Sequence, residues 1–571
     1  MLLIDGADVS SLVRREGNRL VYEIDQPLQP GEHRIQLLST DPAGPGRADW
    51  NVAIGAIGKQ GGGREIYSRS GLSASASQVF GDKVRGSQVA ASASLNVDVG
   101  AKSGPAELEA KGSFAYANTA PADKIEPSSY LAELKYAGGS LAFGDVSFRG
   151  TPLTAPSLAR RGAVVSVVGA GTTAQVAQVS SNPVTGWETG LSSKERIVAA
   201  SASHDFAGAE APLRVSVSYV DGDAPGASGA GVSTVEGAAN GRAAGVQGTG
   251  RLWGTGITAE AAWSRYDPDT GGGSGAEGDK AATLQVDRAI AGINWSGNYL
   301  YAGPDFASVA NPGATRDRQQ FGLSAGTGFG VSTLSASFSR SRDNVEDEPS
   351  RPVVTNDSYG ATYALSVPSW PALSLSYLRG MVKSASEPAD TPHTKNTSDT
   401  VSGALSYAGG VWSANLSSNW SMLDDGQAGA SKTLSEQLAV TLQPWASFSL
   451  SPSLAFTRSD PASGPSQDTR LGTLTLSCTL LESLTLDGQA ALTQNDASDG
   501  SVDSEQRNAS VRLSWAAQWA TKFFLARQAT LSLSFSYDQQ IDHRDSSQDQ
   551  SSVSGLLGLS VFAPFEGSYQ F

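Results

Sequence analysis

Through much of this chain, apolar residues recur at every second position. Thr530–Tyr537 reads Thr-Leu-Ser-Leu-Ser-Phe-Ser-Tyr, with Leu531, Leu533, Phe535 and Tyr537 on one face and Ser532, Ser534 and Ser536 on the other. A period of two is that of a β-strand. The pattern continues to the last residue, where Ala563, Phe565, Gly567, Tyr569 and Phe571 alternate with Pro564, Glu566, Ser568 and Gln570. In a soluble sandwich the apolar face of such a strand points into a core. In a membrane barrel it points to lipid, and the small polar face lines a wet lumen.

The connections between strands choose between these two readings. Short turns at Ala408-Gly409-Gly410, Gln443-Pro444 and near Glu482 alternate with long polar stretches at Ser421–Thr433, Arg458–Thr469, Thr493–Glu505 and Asp538–Ser552. Tyr266–Lys280, Gly303–Thr315, Ser341–Asn356 and Met381–Asp399 extend the rule upstream. Membrane barrels carry short turns at the periplasmic end and longer loops at the other, and a sandwich has no reason to alternate in this way. The expected fold is therefore all-β: a large antiparallel transmembrane barrel of about 26 strands, an even number because both termini fall on one side. Trp253, Trp263, Tyr266, Trp295, Tyr299, Tyr301, Trp370, Tyr377, Trp412, Trp420 and Trp445 fall near strand ends, where interface girdles belong.

Composition agrees. Charged residues are 17%, against about 25% in ordinary soluble proteins. No run of about 18 apolar residues exists to form a membrane helix, and mean hydropathy is -0.21. A net charge of -15 argues against nucleic acid as a partner. The chain opens Met1-Leu2-Leu3-Ile4-Asp5 with neither a basic region nor a long apolar one, so a processed chain is expected. Cys478 shares a face with Leu474, Leu476 and Leu480 and reads as a small apolar residue.

Three resemblances add to this reading. The ending with Phe565, Tyr569 and Phe571 resembles the C-terminal signature of Gram-negative outer-membrane barrels, which implies that the barrel-assembly machinery reads it. Residues 1–55 differ from the remainder, with strands at Leu20–Ile24, His33–Leu37 and Trp50–Ile54. Pro27, Leu28, Pro30, Gly31, His33, Leu37, Asp41, Ala43, Gly44 and Trp50 resemble the second half of a bacterial immunoglobulin-like domain. The implied layout is a periplasmic immunoglobulin-like β domain at 1–55, a Gly-rich linker at 56–63 and a barrel at 64–571. Finally, Gly144-Asp145 and Phe148-Arg149-Gly150 resemble a stretch of fimbrial ushers, which are wide barrels with a plug.

That last stretch lies where the alternation fails, between Tyr136 and Val168. It carries Pro152, Pro156 and three arginines. One reading is a long basic turn. The other is an inward-folded constriction with Arg149, Arg160 and Arg161 in the lumen. Val220–Gly248, rich in Gly and Ala, reads as a loop, with inward folding as the alternative.

Catalytic chemistry finds little support. The chain has four histidines, His33, His204, His393 and His543: His33 lies in the N-terminal segment, His393 in a loop with no evident partners, and His543 stands between Asp542 and Asp545 in a loop. Neither a nucleophile elbow nor a phosphate loop is present. Asp267, Asp269, Glu277 and Asp279 fit no calcium spacing. No enzyme, metal or cofactor is expected. The expected function is a channel or export conduit in the bacterial outer membrane, gated by an inward segment or a partner. The alternative is a barrel that sheathes or anchors a periplasmic or surface partner complex, with a rim hydrolase a distant third. Expected partners are outer-membrane lipid, the assembly machinery and a lumen-filling protein.

Overall fold

The computed structural model describes residues 64–570 apart from 82–88, 119–125, 185, 192–194, 207–212, 226–237, 271–274, 390 and 517–527. Before residue 64 it describes strands alone. There β1 (Leu2–Ile4), β2 (Ala7–Asp8), β5 (Gly31–Leu38) and β6 (Arg47–Ile54) form one sheet in the order β2-β1-β5-β6. A separate hairpin pairs β3 (Val13–Glu16) with β4 (Arg19–Tyr22). The strands expected near 20, 33 and 50 correspond to β4, β5 and β6. Residues 55–63, read as the linker, lie outside the described residues.

From β7 (Arg64–Gly81) to β32 (Gln550–Gln570) the chain forms one closed antiparallel barrel of 26 strands. Every strand pairs with its sequence neighbour, and β32 pairs with β7 to close the ring. The even strand number brings the first and last strands to the same end, that of the short turns. A closed sheet has no free edge, so the backbone groups of the wall pair strand to strand, as a membrane requires, with register shifts at Leu442/Trp445 and Thr479/Leu481. At a strand spacing near 4.8 Å and a tilt near 40°, such a ring is roughly 50 Å across if circular.

Four of the short turns share one construction. Ala137-Gly138 joins β10 (Glu126–Tyr136) to β11 (Gly139–Phe148). Ala170-Gly171 joins β12 (Leu158–Gly169) to β13 (Thr172–Ser180). Trp253-Gly254 joins β16 (Ala238–Leu252) to β17 (Thr255–Asp267), and Ala291-Gly292 joins β18 (Glu277–Ile290) to β19 (Ile293–Ala302). In each, both residues have positive φ, from 44° at Ala137 to 87° at Gly138. Two consecutive positive-φ residues make the type I′ turn, whose twist suits a two-residue hairpin. A Cβ on Gly138 would also lie 2.5 Å from the carbonyl oxygen of Val168.

At the other end the strands outrun the loops expected for them. The stretch expected as the loop Ser421–Thr433 is a continuous hairpin, with β25 (Trp412–Asp425) and β26 (Gly429–Trp445) separated by Gly426–Ala428. Likewise β15 (Leu213–Pro225) and β16 occupy most of Val220–Gly248, so the reading of that stretch as a loop is corrected; residues 226–237 lie outside the described ones. Polar composition marks where strands leave the lipid, and pairing continues beyond that level.

The outward face is the one expected. Leu531, Leu533, Phe535 and Tyr537 share it with their partners Leu559, Leu557, Gly555 and Val553. Cys478 also lies on it and is half-buried. Tryptophans gather at the short-turn end: Trp253 and Trp370 in turns, and Trp295, Trp412, Trp445 and Trp515 at strand ends. Trp263, Tyr299, Tyr301, Tyr377 and Trp420 lie toward the opposite end. Two aromatic rings bounding an apolar belt are the outer surface of a membrane barrel.

Candidate functional site

The lumen wall has two unlike parts. Over β20 (Arg318–Phe329) to β32 the inward residues are mostly Ser, Thr, Asn and Gln. Ser335, Ser337 and Ser339 are one example on β21 (Ser332–Arg342), and Asn415, Ser417 and Asn419 are another on β25. Their side chains bond across strands, as in Ser536···Ser554 at 2.6 Å and Asn419 Nδ2 to Ser402 Oγ at 2.8 Å. Over β11 to β15 the lumen face is apolar instead. Val146, Phe148, Val164, Val179, Ile197 and Val220 form one buried cluster. An apolar face turned toward a wet lumen must be covered, and two inward segments cover it.

The first is residues 149–157, between β11 and β12. Gly150 N bonds Ala155 O at 2.8 Å, closing a compact turn. Thr151 and Thr154 are fully buried. Their hydroxyls meet each other at 2.9 Å and meet Ser218 Oγ of β15 at 2.9 and 2.5 Å. Leu153 N donates to Glu260 Oε1 of β17 at 2.8 Å. On β14 (Arg196–Phe206), Ser201 Oγ donates to Arg149 O at 2.9 Å. Gly245 of β16 lies beneath the turn, where a Cβ would come 2.4 Å from Thr151 Oγ1. Segment and wall are therefore fitted to each other.

The second segment lies between β19 and β20. Phe306 through Ala310 are buried, and Val309 and Ala310 join the cluster of Val146 and Phe148. Phe306 packs with Ala262, Ala281, Ala302 and Leu153. Ala307 N donates to Ser264 Oγ of β17 at 3.1 Å. The two segments also hold each other: Ser308 Oγ donates to Thr154 O at 2.6 Å, and Asn311 Nδ2 donates to Pro152 O and Leu153 O at 3.2 and 3.1 Å. Glu260 is 3% exposed, and its Oε2 has no hydrogen-bond partner among the described residues. The two segments form one shelf, anchored on β14, β15 and β17.

Of the two readings of this stretch, the inward one placed three arginines together in the lumen; they lie apart instead. Consecutive strand residues face opposite ways. Arg160 shares the inward face with Gly162 and Val164. Arg161 lies outward, with Val165 and Val167. Arg149 is exposed at the root of the shelf, which holds its carbonyl. Arg161 is 2% exposed, bonded to Asp145 at 3.1 and 3.2 Å, to the carbonyls of Gly186 and Glu188, and stacked 4.6 Å from the Tyr130 ring. Residues 186–190 thus fold over the outer face and enclose this ion pair. Gly190 permits it, since a Cβ there would meet Arg161 O at 2.2 Å.

Sequence reasoning missed Phe306–Asn311 and Glu260. Both leave a trace in the sequence. Phe306-Ala307-Ser308-Val309-Ala310 is an apolar run inside a loop that should be solvated. Glu260 is a lone acid within Ile257-Thr258-Ala259-Glu260-Ala261-Ala262-Trp263. Of the assembly-signal residues, Phe565 and Tyr569 fall within β32, but their side chains and all of Phe571 lie outside what is described. The histidines take ordinary partners. His393 Nδ1 lies 2.7 Å from Glu387, His543 Nε2 lies 3.9 Å from Glu505, and Thr172 Oγ1 lies 2.7 Å from His204 Nδ1. No group of three or more metal-ligating side chains occurs among the described residues.

No protein-family model matches the sequence, and no curated protein sequence matches it. Among solved structures, Pseudomonas aeruginosa OccK10 (OpdN) is similar at 11% identity and a TM-score of 0.31, over 55% of this chain and 93% of that one. The P pilus usher (PapC) translocation pore is similar at 14% identity and a TM-score of 0.28, over 88% and 100%. A BenF-like porin from Pseudomonas fluorescens gives 10% identity and a TM-score of 0.31, over 60% and 98%. These are weak superpositions of remote sequences, and the fold rests on the strand pairing above. A closed antiparallel wall with an apolar belt outside and a hydroxyl-lined face inside makes this a membrane barrel of the outer-membrane type.

Proposed function

We propose that this protein is an outer-membrane passage, a channel or export conduit, whose lumen is narrowed by the shelf of residues 149–157 and 303–317. The observation that carries this is the asymmetry of the inner wall. One side is apolar and covered, and the other is a bare hydroxyl and amide surface of the kind that lines a water-filled pore. The shelf is packed and hydrogen-bonded on both sides, so it acts as a fixed narrowing. Material passes along the bare wall from β20 to β32.

In this reading the short-turn end faces the periplasm. The N-terminal segment is an immunoglobulin-like domain there, and Phe565, Tyr569 and Phe571 are read by the assembly machinery. The test is single-channel conductance in planar bilayers. Replacing residues 149–157 with a short Gly-Ser link should raise conductance while heat-modifiable gel migration stays unchanged. A second variant, Gly245→Val, should displace the shelf without shortening the chain. Silent bilayers for the intact protein and both folded variants would overturn the open-passage reading. They would favour a barrel whose lumen a partner protein fills.

A further inference from the structure

The geometry points to a lipid-binding groove on the outer face of the barrel, over β26 to β29, that takes an acyl chain and phosphate of lipid A, the membrane anchor of lipopolysaccharide. On the outward face one row runs Leu438, Leu454, Gly472, Leu492 across β26, β27 (Phe448–Asp460), β28 (Gln467–Leu481) and β29 (Leu484–Ala497). Gly472 leaves a gap in this row between two leucines. The row nearer the short turns places Pro452, Leu474 and Ala490 beside it, and small Ala490 continues the gap. The result is two adjoining depressions of about 450 and 510 Å³ that share Leu438, Leu454, Gly472 and Leu492 and together make a groove floored by Gly472. Leu454 is 65% exposed on its wall. The groove is continuous with the lipid-facing belt, so hydrocarbon is what covers it.

The mouth of the groove differs from the rest of the belt. The row nearer the long loops carries Glu436, Phe456, Arg470, Gln494 and Glu505, so acids stand at both of its ends, and Arg507 lies directly across from Leu492. Arg470 and Arg507 therefore flank β29, about 12 Å apart, two strand spacings across and two residues along. Each is anchored by an acid: Arg470 Nη1 lies 3.1 Å from Asp496, and Arg507 Nε bonds Glu505. Both guanidinium side chains remain about half exposed, at 55% and 52%. A guanidinium has five donors in a fixed fork, and one bond to an acid orients it while leaving donors for phosphate oxygens. Apolar length below and paired guanidinium groups above match an acyl chain and a phosphate at the level of the bilayer surface. The mouth opens toward the long loops. On the orientation proposed above, that is the outer leaflet, whose phosphorylated lipid is lipopolysaccharide.

The test is native mass spectrometry of the full-length, detergent-extracted protein incubated with purified lipid A, with phosphatidylglycerol as competitor. One lipid A per barrel should survive mild activation in the wild type. Gly472→Leu, which fills the groove on a face where leucine is already common, should lower that occupancy about tenfold, as should Arg470→Gln combined with Arg507→Gln. Heat-modifiable migration and bilayer conductance should not change in either variant, which separates this site from the passage. Equal retention by Gly472→Leu would overturn the groove. Equal retention by the arginine double variant would overturn the phosphate contact, and preferential retention of phosphatidylglycerol would overturn the assignment to lipid A.

Discussion

The wall from β11 to β19 and the wall from β20 to β32 use the same strands, pairing and outward belt, yet differ inside. On β12 the run Ala163-Val164-Val165-Ser166-Val167-Val168 is apolar on both faces; on β31 (Gln528–Asp542) Leu531-Ser532-Leu533-Ser534-Phe535 is apolar on one. A strand apolar on both faces is shielded on both. Lipid shields the outward side of β12, and the shelf shields the inward side. The comparison teaches that a break in alternation within a barrel marks where something else packs against the wall.

This contrast can be broken by paired substitutions. The largest effect is expected from Phe148→Ala, which removes a buried ring beneath the shelf and should cost about 3–5 kcal/mol. Leu378→Ala faces the lumen on the bare side, where Leu378 is 51% exposed, and should stay within about 0.5–1 kcal/mol. Chemical unfolding from detergent micelles measures both; similar losses would mean that the shelf buries nothing of consequence.

Next is Gly245→Ala, which should cost about 1–3 kcal/mol because its Cβ would meet Thr151 Oγ1 at 2.4 Å. The matched Gly326→Ala meets nothing nearer than 3.8 Å and should be neutral or stabilising, since alanine suits a strand better than glycine. Equal unfolding midpoints for the two would place the shelf away from β16.

Ser218→Ala takes a partner from two buried hydroxyls and from Thr151 N, and should cost about 1–3 kcal/mol. Ser534→Ala on the bare wall should be nearly silent, within about 0.5 kcal/mol. Hydrogen exchange at Thr151 and Thr154 should rise in the first variant alone.

The smallest effect joins the two walls at the rim. The loop between β21 and β22 (Val353–Leu365) carries Arg351, which pairs with Asp317 at the end of the inward segment at 3.0 Å and with Glu348 at 3.0 Å. The Ser350 hydroxyl and the Arg351 guanidinium hold the Glu348 carboxyl below the usual range. A depressed carboxylate contributes stability that is present above its unfolded value, near about 4.3, and is lost as pH falls through the lower folded value. Protection from hydrogen exchange across 343–352, taken relative to the intrinsic rate at each pH, should therefore fall below about pH 4 while the strands stay protected. Loop protection that does not change over that range would show that Glu348 plays no part in holding Arg351.

Much of the fold was legible because a barrel is a local pattern repeated. Period-two alternation, an even strand number and the contrast between short and long connections are all carried by neighbouring residues. Loop ends were misplaced because Ser421–Thr433 and Val220–Gly248 are polar or small where the strands continue past the lipid, and composition reports solvent while pairing reports structure. The unusual character of Tyr136–Val168 was visible as well, but the sequence left a long basic turn and an inward fold both open for it.

The lumen site was less legible. Alternation alone puts Arg160 and Arg161 on opposite faces, but which face was inward depended on the register of β11 against β12. The meeting of Thr151 with Ser218, of Leu153 with Glu260 and of Thr154 with Ser308 spans 67, 107 and 154 residues. By itself the sequence determined that this chain is a wall: strands, their order, and which side meets lipid. Only the tertiary structure decided what stands inside that wall, because closing the ring brings distant apolar faces and loop segments together, and no local period records that encounter.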